Sequence, residues 1–564
     1  MKGVVNMLRR FFALITALLM VAAVMGGCAD TGNSAPTISP TSIGGTATDD
    51  PTTSEPASNF NEVGYPIVNE KITLRFMSDK GGLEVDYDDP DYIWQDFEEV
   101  TNIHIEWDNI PLASIAEKKN LALATGDLPD AFVTGGGGIL SAADQATYGP
   151  QGVLLDLTDL IEQYSPNIQA MFAQNVNTKI VSTSSDGKIY SLPFAQEIGS
   201  NLVYNRLYIN RVWLEELKLD IPTTTEEFVE VLKAFKNDDP NGNEQQDEIP
   251  LSFIYDNHNR GSFGFFTPFG CLDNASHVSV YDGKVVFEPI TDGYKEGVKW
   301  LASIFQEGLI DPEVFTHDAA QYHAKGQTDT MTYGVFSNWS TLFGPYTVGT
   351  IGDGQNTDYV TLPPLKGPDG TQMWQSRSAA IWNGAFAITS ANKNIPETMR
   401  WVDLCYDPEW SFELQYGPLD YTLEKDDNGV YSFIETEDPA LQPLRSIYAP
   451  GLPPSYISAD FFENRVNLSS GMQKDYDQYN TYAEYIDFNY MPAVSYTNEE
   501  LEANATLEAD IMPYVESTQA KWIVGEGDID ADWDAYVEAV NRMDLEKLLA
   551  NYQAAYDRYI ELAN

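Results

Sequence analysis

Between Ile72 and Val133, short apolar runs of strand period alternate with stretches of helical period, and that order limits the fold more than any other feature. Residues 72–77 read as a strand. Residues 92–100 place Ile93, Phe97 and Val100 on one helical face, and 103–107 alternate as a half-buried strand. A helix over 114–125 is expected to stop at Gly126, with Pro129 just beyond it. A short strand at 131–133 then runs into the four glycines at 135–138. A β-α-β-α-β order at these lengths predicts a mostly parallel α/β sheet, which takes its ligands beyond the strand C-termini. The glycine run sits at such an end, where a mobile loop is as good a reading as a ligand contact. At 564 residues and 43% hydrophobic, the chain exceeds what one core accommodates, so more than one folding unit is expected.

The pattern continues. Residues 186–193 read as a turn and a strand, and 202–205 as another strand. Thr223 with Glu226 and Thr224 with Glu227 both fit a capping box, and Phe228, Val231, Leu232 and Phe235 then fall on one helical face. Near the C-terminus Trp533, Tyr536, Val537 and Val540, then Leu548, Tyr552, Tyr556 and Tyr559, recur at helical spacing, which reads as core.

The N-terminus reads as an address. Lys2, Arg9 and Arg10 precede an apolar run over 11–25 that is shorter than the ~20 residues a membrane span needs. Met25, Gly26, Gly27 and Cys28 resemble a bacterial lipobox, which implies a signal peptide over 1–27 and a lipid on Cys28. Residues 28–65 are rich in Thr, Ser, Gly, Pro and Asp and read as a disordered tether. Acids outnumber bases 85 to 32, for a net charge of −53. Such a surface repels nucleic-acid phosphates and anionic headgroups, so membrane attachment is expected through the lipid anchor only. Three cysteines are too few for a disulfide scaffold; Cys271 and Cys405 read as small buried side chains, with pairing left open.

Taken in order, several stretches resemble the extracellular solute-binding proteins of ATP-driven sugar importers, specifically the large lipoprotein members of family 1. They are 125–130 (TGDLPD), the turn and strand at 187–193, 202–205, 217–228 (LKLDIPTTTEEF), 386–389, 392–397 and 401–403. The resemblance implies a type II periplasmic-binding-protein-like α/β fold of two lobes joined by crossing strands, with a helical C-terminus. Lobe 1 would comprise 66–201 and 365–417, and lobe 2 would comprise 202–364 and 418–564, with crossings near 202–205, 359–364 and Gly417. It further implies a monomer on the extracytoplasmic face of the cell membrane. That monomer would capture a carbohydrate, an oligosaccharide in the first instance, between its lobes and deliver it to the permease subunits of an ABC transporter.

Asp239, Asn241 and Asn243 alternate like the start of a calcium loop, although Glu244 stands where a regular EF-hand has Gly and Pro250 where it has Glu. The segment resembles the shorter calcium loop of oligosaccharide-binding relatives. That likeness implies Asp239, Asn241, Asn243, the Gln245 carbonyl, Asp247 and Glu248 as ligands of one structural calcium; an Asx-rich turn without an ion is the alternative. A sugar site needs aromatic platforms and polar partners on loops. Trp339, Trp374, Arg377, Trp382 and Asn383 are the candidates, with Glu197 and the Asp79–Lys80 pair after predicted strands. Core packing competes with this reading for each tryptophan. No catalytic constellation stands out. His104, His258, His277, His317 and His323 never reach zinc spacing, and no nucleophile elbow or phosphate loop is present, so the chain is expected not to be an enzyme. A glycoside hydrolase and a peptide-binding receptor are the rival readings.

Overall fold

The computed structural model describes residues 58–80, 87–136, 138–203, 205–326, 331–339, 358–376, 380–434 and 447–563. Cys28, most of the tether and Arg377 lie outside the described residues.

The first strands form where the alternation put them. Strand β1 (Ile72–Asp79) pairs in parallel with β2 (Ile103–Ile110) and with β3 (Ala131–Val133). The intervening helix Ile93–Thr101 ends on Asn102 in the left-handed region, whose backbone N–H donates to the Glu98 carbonyl. The helix Leu112–Thr125 ends on Gly126 at φ 78°, a conformation that costs a glycine nothing. Strand β4 (Leu192–Gln196) and the strands Ala380–Ile388 and Ser455–Ile457 complete a six-stranded sheet. Its order is Ser455–Ile457, β4, Ala380–Ile388, β3, β1, β2, with Ala380–Ile388 antiparallel to its neighbours.

A second sheet of four strands holds Tyr359–Leu362, β5 (Arg206–Asn210), Tyr333–Asn338 and β6 (Ile249–Ser252), in that order. Each sheet has its own core. Phe76, Trp94, Phe97, Phe386 and Trp401 belong to the first, and Phe228, Leu232, Phe235, Phe253 and Val335 to the second. The C-terminal helices Asn498–Val524, Ile529–Arg542 and Leu545–Ala563 join the second core through Trp522, Trp533, Tyr536, Leu548 and Tyr552, so the aromatic stripe is packing. Burial of each such side chain is worth about 1.5–3 kcal/mol. Among the described residues no helix is long and apolar enough to cross a membrane. Cys271 and Cys405 are buried and unbridged.

Two expectations are corrected. Leu202, Val203 and Asn205, expected in a strand, are not in one, and residue 204 lies outside the described residues. A 3-10 turn, Gly199–Leu202, leads to Asn205 at φ 51°, and its side chain ties the His258 carbonyl (2.7 Å) and the Gly261 N–H (2.7 Å), so extended pairing starts only at Arg206. The chain also does not leave the first sheet at Gly417. Ser455–Ile457 still pairs with β4, and the second core resumes in the helix Ser470–Ala483, where Tyr482 is fully buried. Gly417 instead ends a helix at φ 106°.

Candidate ligand-binding site

The registers bring Asp79, Thr134, Glu197, Trp382 and Ile457 to one end of the six-stranded sheet, the C-terminal end of its parallel strands. There Asp79, 1% exposed, accepts hydrogen bonds from Thr134 Oγ1 (2.9 Å) and the Gly135 N–H (2.8 Å). Thr134 Oγ1 in turn accepts from the N–H groups of Gly136 (3.2 Å) and Gly138 (2.9 Å). A Cβ on Gly135 would lie 2.1 Å from the Tyr87 hydroxyl, so this position requires glycine. Asp79 thus shapes the glycine loop from beneath. Lys80 follows at the strand end, half-buried, its backbone N–H on the Ile110 carbonyl (2.9 Å).

Glu197 is held as firmly. Its carboxylate accepts from Asn175 Nδ2 (2.6 Å), the Tyr456 hydroxyl (2.9 Å) and the Ala459 N–H (3.0 Å). Burial and the facing Glu197 charge push the Tyr456 phenol well above its ordinary range. Glu197 therefore joins β4 to the strand Ser455–Ile457 and the helix Ala459–Arg465.

The tryptophans separate by environment. Trp382 lies on a strand rather than a loop, half-buried, its ring stacked on Phe194 at 5.1 Å and 17°. Trp339 directly follows the strand Tyr333–Asn338, half-buried, at the edge where Asn338 pairs with Arg206. Trp374 was expected on a loop and is instead a core residue. It sits in the short strand Trp374–Gln375, 1% exposed, 4.7 Å from the Tyr482 ring. A Cβ on Gly264 would meet that indole at 2.3 Å, which shows how closely the core closes over it. Asn383 also differs from expectation: its amide is committed to protein, donating to Gln145 Oε1 (3.1 Å) and the Val181 carbonyl (2.9 Å) and accepting from the Gly384 N–H (2.8 Å). It fixes an irregularity in its strand between Trp382 and Phe386.

Sequence reasoning passed over Asn109 and Arg206. Asn109, opposite Ser78 near the end of β2, has both amide atoms buried without a hydrogen-bond partner. Arg206 opens β5 and is 2% exposed. In the sequence it is one basic residue before an apolar run, a weak signal. A separate cavity of ≈ 240 Å³, bounded by Ile180, Thr183, Arg558 and Leu562 among others, lies between the turn that precedes β4 and the C-terminal helix, outside this site.

The acidic loop at 239–248 is a run of Asx turns. Asp239 accepts from the N–H groups of Asn243 (3.2 Å) and Glu244 (3.0 Å), Asn241 Oδ1 from that of Asn243 (3.1 Å), and Asn243 Oδ1 from that of Gln245 (2.7 Å). The amides of Asn241 and Asn243 both donate to Asp247 (3.0 Å each). Glu248 Oε1 is buried without a partner, and burial, then the Asp247 and Asp239 charges, push its carboxyl above the ordinary range. Among the described residues no three Asp, Glu, His or Cys side chains already stand in metal-holding geometry. The donor set here is mixed, with amide and carbonyl oxygens, and its crowded carboxylates with one orphaned buried oxygen fit a hard cation.

The sequence matches the profile of the bacterial extracellular solute-binding protein family over residues 82–411. FusA of Streptococcus pneumoniae, a fructooligosaccharide ABC transporter substrate-binding protein, is 34% identical over 90% of this chain and 94% of its own. Lipoprotein LipO of Bacillus subtilis is 23% identical over 60% of this chain and 64% of its own. The solved structure of S. pneumoniae FusA in complex with kestose superposes with a TM-score of 0.75 at 33% identity, covering 87% of this chain and 100% of that one. A FusA EF-hand mutant in complex with fructo-nystose matches to the same degree.

Proposed function

Because this chain belongs to the bacterial extracellular solute-binding protein family, we propose that it captures an oligosaccharide between two lobes and passes it to the permease of an ABC importer. The observation that carries this reading is the near full-length correspondence with FusA, in sequence and in fold. Lobe 1 is then the body of the six-stranded sheet, residues 66–201 together with the chain from Ala380 through Ile457, while Leu365 and Trp374, expected in lobe 1, pack in the core of the second sheet. Lobe 2 is the body of the four-stranded sheet together with the C-terminal helices.

Trp339 and Trp382 are the stacking platforms. Lys80, and Arg377 beyond the described residues, supply charged donors, while Asp79, Glu197 and Asn383 brace the loops that present them. Capture without turnover fits Glu197, whose three hydrogen bonds leave it poorly placed to shuttle a proton. The relatives are transporter components, not hydrolases. Calorimetry against a panel of neutral and uronic oligosaccharides, kestose and fructo-nystose included, tests the proposal. Saturable binding with no glycan consumed supports it; hydrolysis, or binding of peptides alone, refutes it.

Anchoring follows the same logic. Cys28 carries the lipid, 28–57 is the tether (residues 58–65, expected to belong to it, instead pack on the body, where Arg400 donates to the Asn61 and Gly64 carbonyls), and the body works as a monomer on the extracytoplasmic side of the membrane, in keeping with the family and with a lipoprotein among the relatives. Asp239, Asn241, Asn243, the Gln245 carbonyl, Asp247 and Glu248 hold one structural calcium, a reading supported by the orphaned Glu248 oxygen and by the EF-hand of the FusA relative. The ion would neutralise carboxylates that otherwise repel one another.

A further inference from the structure

Two of the connections between the two sheets come together at one buried guanidinium. Arg206 stands at the first residue of β5, where the passage from β4 enters the second sheet, and is 2% exposed. Its Nη2 donates to the Ser200 carbonyl inside that passage. Its Nη1 faces Asp475 Oδ1 at 3.6 Å, beyond hydrogen-bond range, and Nε and Nη1 are buried without a hydrogen-bond partner.

Asp475 lies on the helix Ser470–Ala483, which receives the chain after its last strand in the first sheet, Ser455–Ile457. The same helix face continues through Gln478, which accepts from the Tyr208 hydroxyl (3.0 Å). One turn on, the Tyr482 hydroxyl takes the Leu207 N–H (2.8 Å) and reaches the Leu362 carbonyl (2.8 Å). This face is therefore riveted to β5 along its length, except at the Arg206–Asp475 pair. Gly199 packs against Tyr479 of that helix, where a Cβ would come within 3.2 Å, and Ser376 Oγ lies 3.4 Å from the Leu202 carbonyl, which draws in the remaining passage.

A desolvated guanidinium with unmet N–H groups is an unfavourable state, and a carboxylate a few tenths of an ångström too far is the nearest remedy. In the two-lobed capture reading, rotation about these passages would be taken up at Ser200 and at the start of the Ser470–Ala483 helix rather than within either sheet. We infer that Arg206 is a positioning residue for ligand capture: it ties the first and last interlobe passages together, and the closing of its stretched pair with Asp475 favours the ligand-holding form. This inference rests on the two-lobed capture reading, and it makes affinity depend on a residue that does not touch ligand.

The test compares wild type, Arg206→Gln, Asp475→Asn and the double variant as full mature chains. Asp475→Asn leaves the Ser200 bond in place, so it reports even if Arg206→Gln folds poorly. Hydrogen exchange at 199–202 and 470–475 should quicken by about tenfold in each single variant while β1 and β3 stay protected. Kestose affinity should fall roughly five- to fiftyfold in each, and no further in the double variant, because one pair is removed once. Arg206→Lys should not rescue, since an ammonium cannot serve both partners with a planar fork. Unchanged or tighter kestose binding in Asp475→Asn, or unchanged exchange in the two segments, overturns the inference. A wild type that binds no glycan, with exchange quickened as described, would instead count against the proposed function and leave the tie at Arg206 standing.

Discussion

At the scale of single residues, Trp382 and Trp374 show how differently two candidate indoles are set by their surroundings. Trp382 is stacked on Phe194 and remains half-buried on its strand. Trp374 is enclosed between Gly264 and Tyr482. Trp382→Ala and Trp339→Ala should each weaken glycan binding by about ten- to a hundredfold, with melting temperatures close to wild type. Trp374→Ala should do the reverse, destabilising by about 3–5 kcal/mol through the cavity it leaves. Calorimetry and denaturant melts on the three variants check both directions; an affinity loss at Trp374→Ala with unchanged stability would contradict its place in the core. The sequence offers the three tryptophans alike and cannot rank them, because the groups that bury Trp374 lie far from it along the chain.

At the scale of elements, capping and periodicity carried the prediction where the partners are local. The helix Thr225–Asn237 begins at Thr224, whose hydroxyl accepts the Glu227 N–H at 3.1 Å, and its apolar face is the predicted one, Phe228, Val231, Leu232 and Phe235. Thr224→Ala should cost about 1 kcal/mol, read as a shift in denaturant midpoint at constant slope. The loop that follows tests the calcium proposal. Chelator should lower the melting temperature of the wild type, since an ion bound only by the folded form stabilises it. Asp239→Ala with Asp247→Ala should remove that sensitivity; identical melts with chelator and with added calcium would leave the loop a turn. Where a partner is remote, local pattern fails. Asp403 accepts the N–H groups of Asn167 (2.9 Å) and Ile168 (3.0 Å), so the helix Pro166–Gln174 takes these bonds from a residue of another helix, which no cap search along the chain would find.

At the scale of the whole molecule, excess acid and buried carboxyls set the response to pH. Burial raises Asp403 and Glu413 to about 7 and Asp256 to about 6, all above their unfolded values. Between those limits the folded chain holds more protons than the unfolded one. The stability these groups contribute is therefore complete below their unfolded values and lost as pH rises through 6–7. His277, raised despite its burial by the Asp273 and Asp256 charges, acts in the same direction. His258 and His323, lowered by burial, oppose it, and carboxyls held low by cations, such as Glu409 and Glu500, matter only in stronger acid. Relief of the −53 charge adds to the gain. The melting temperature should therefore rise from pH 8 to pH 5, and Asp403→Asn with Glu413→Gln should flatten the rise; a flat or falling wild-type curve contradicts this. At the same scale, Cys28→Ala should release full-length chain into the medium, and its retention in the membrane fraction would count against the anchor.

The sequence by itself determined the α/β class, the early strands, the buried stripe of the C-terminal helices and the acidic turn-rich loop. Those features depend on periodicity, capping and residue chemistry within a few turns of chain. Tertiary structure alone decided that Ser455–Ile457 returns to the first sheet, that Trp374 is core while Trp382 is half-buried on Phe194, and that the side chains of Asn383 and Glu197 are committed to protein partners. It also decided that Arg206 sits where two of the passages meet. Each of these depends on pairings between segments far apart in sequence, and a local pattern carries no record of which distant group will arrive to complete a hydrogen bond or close a core.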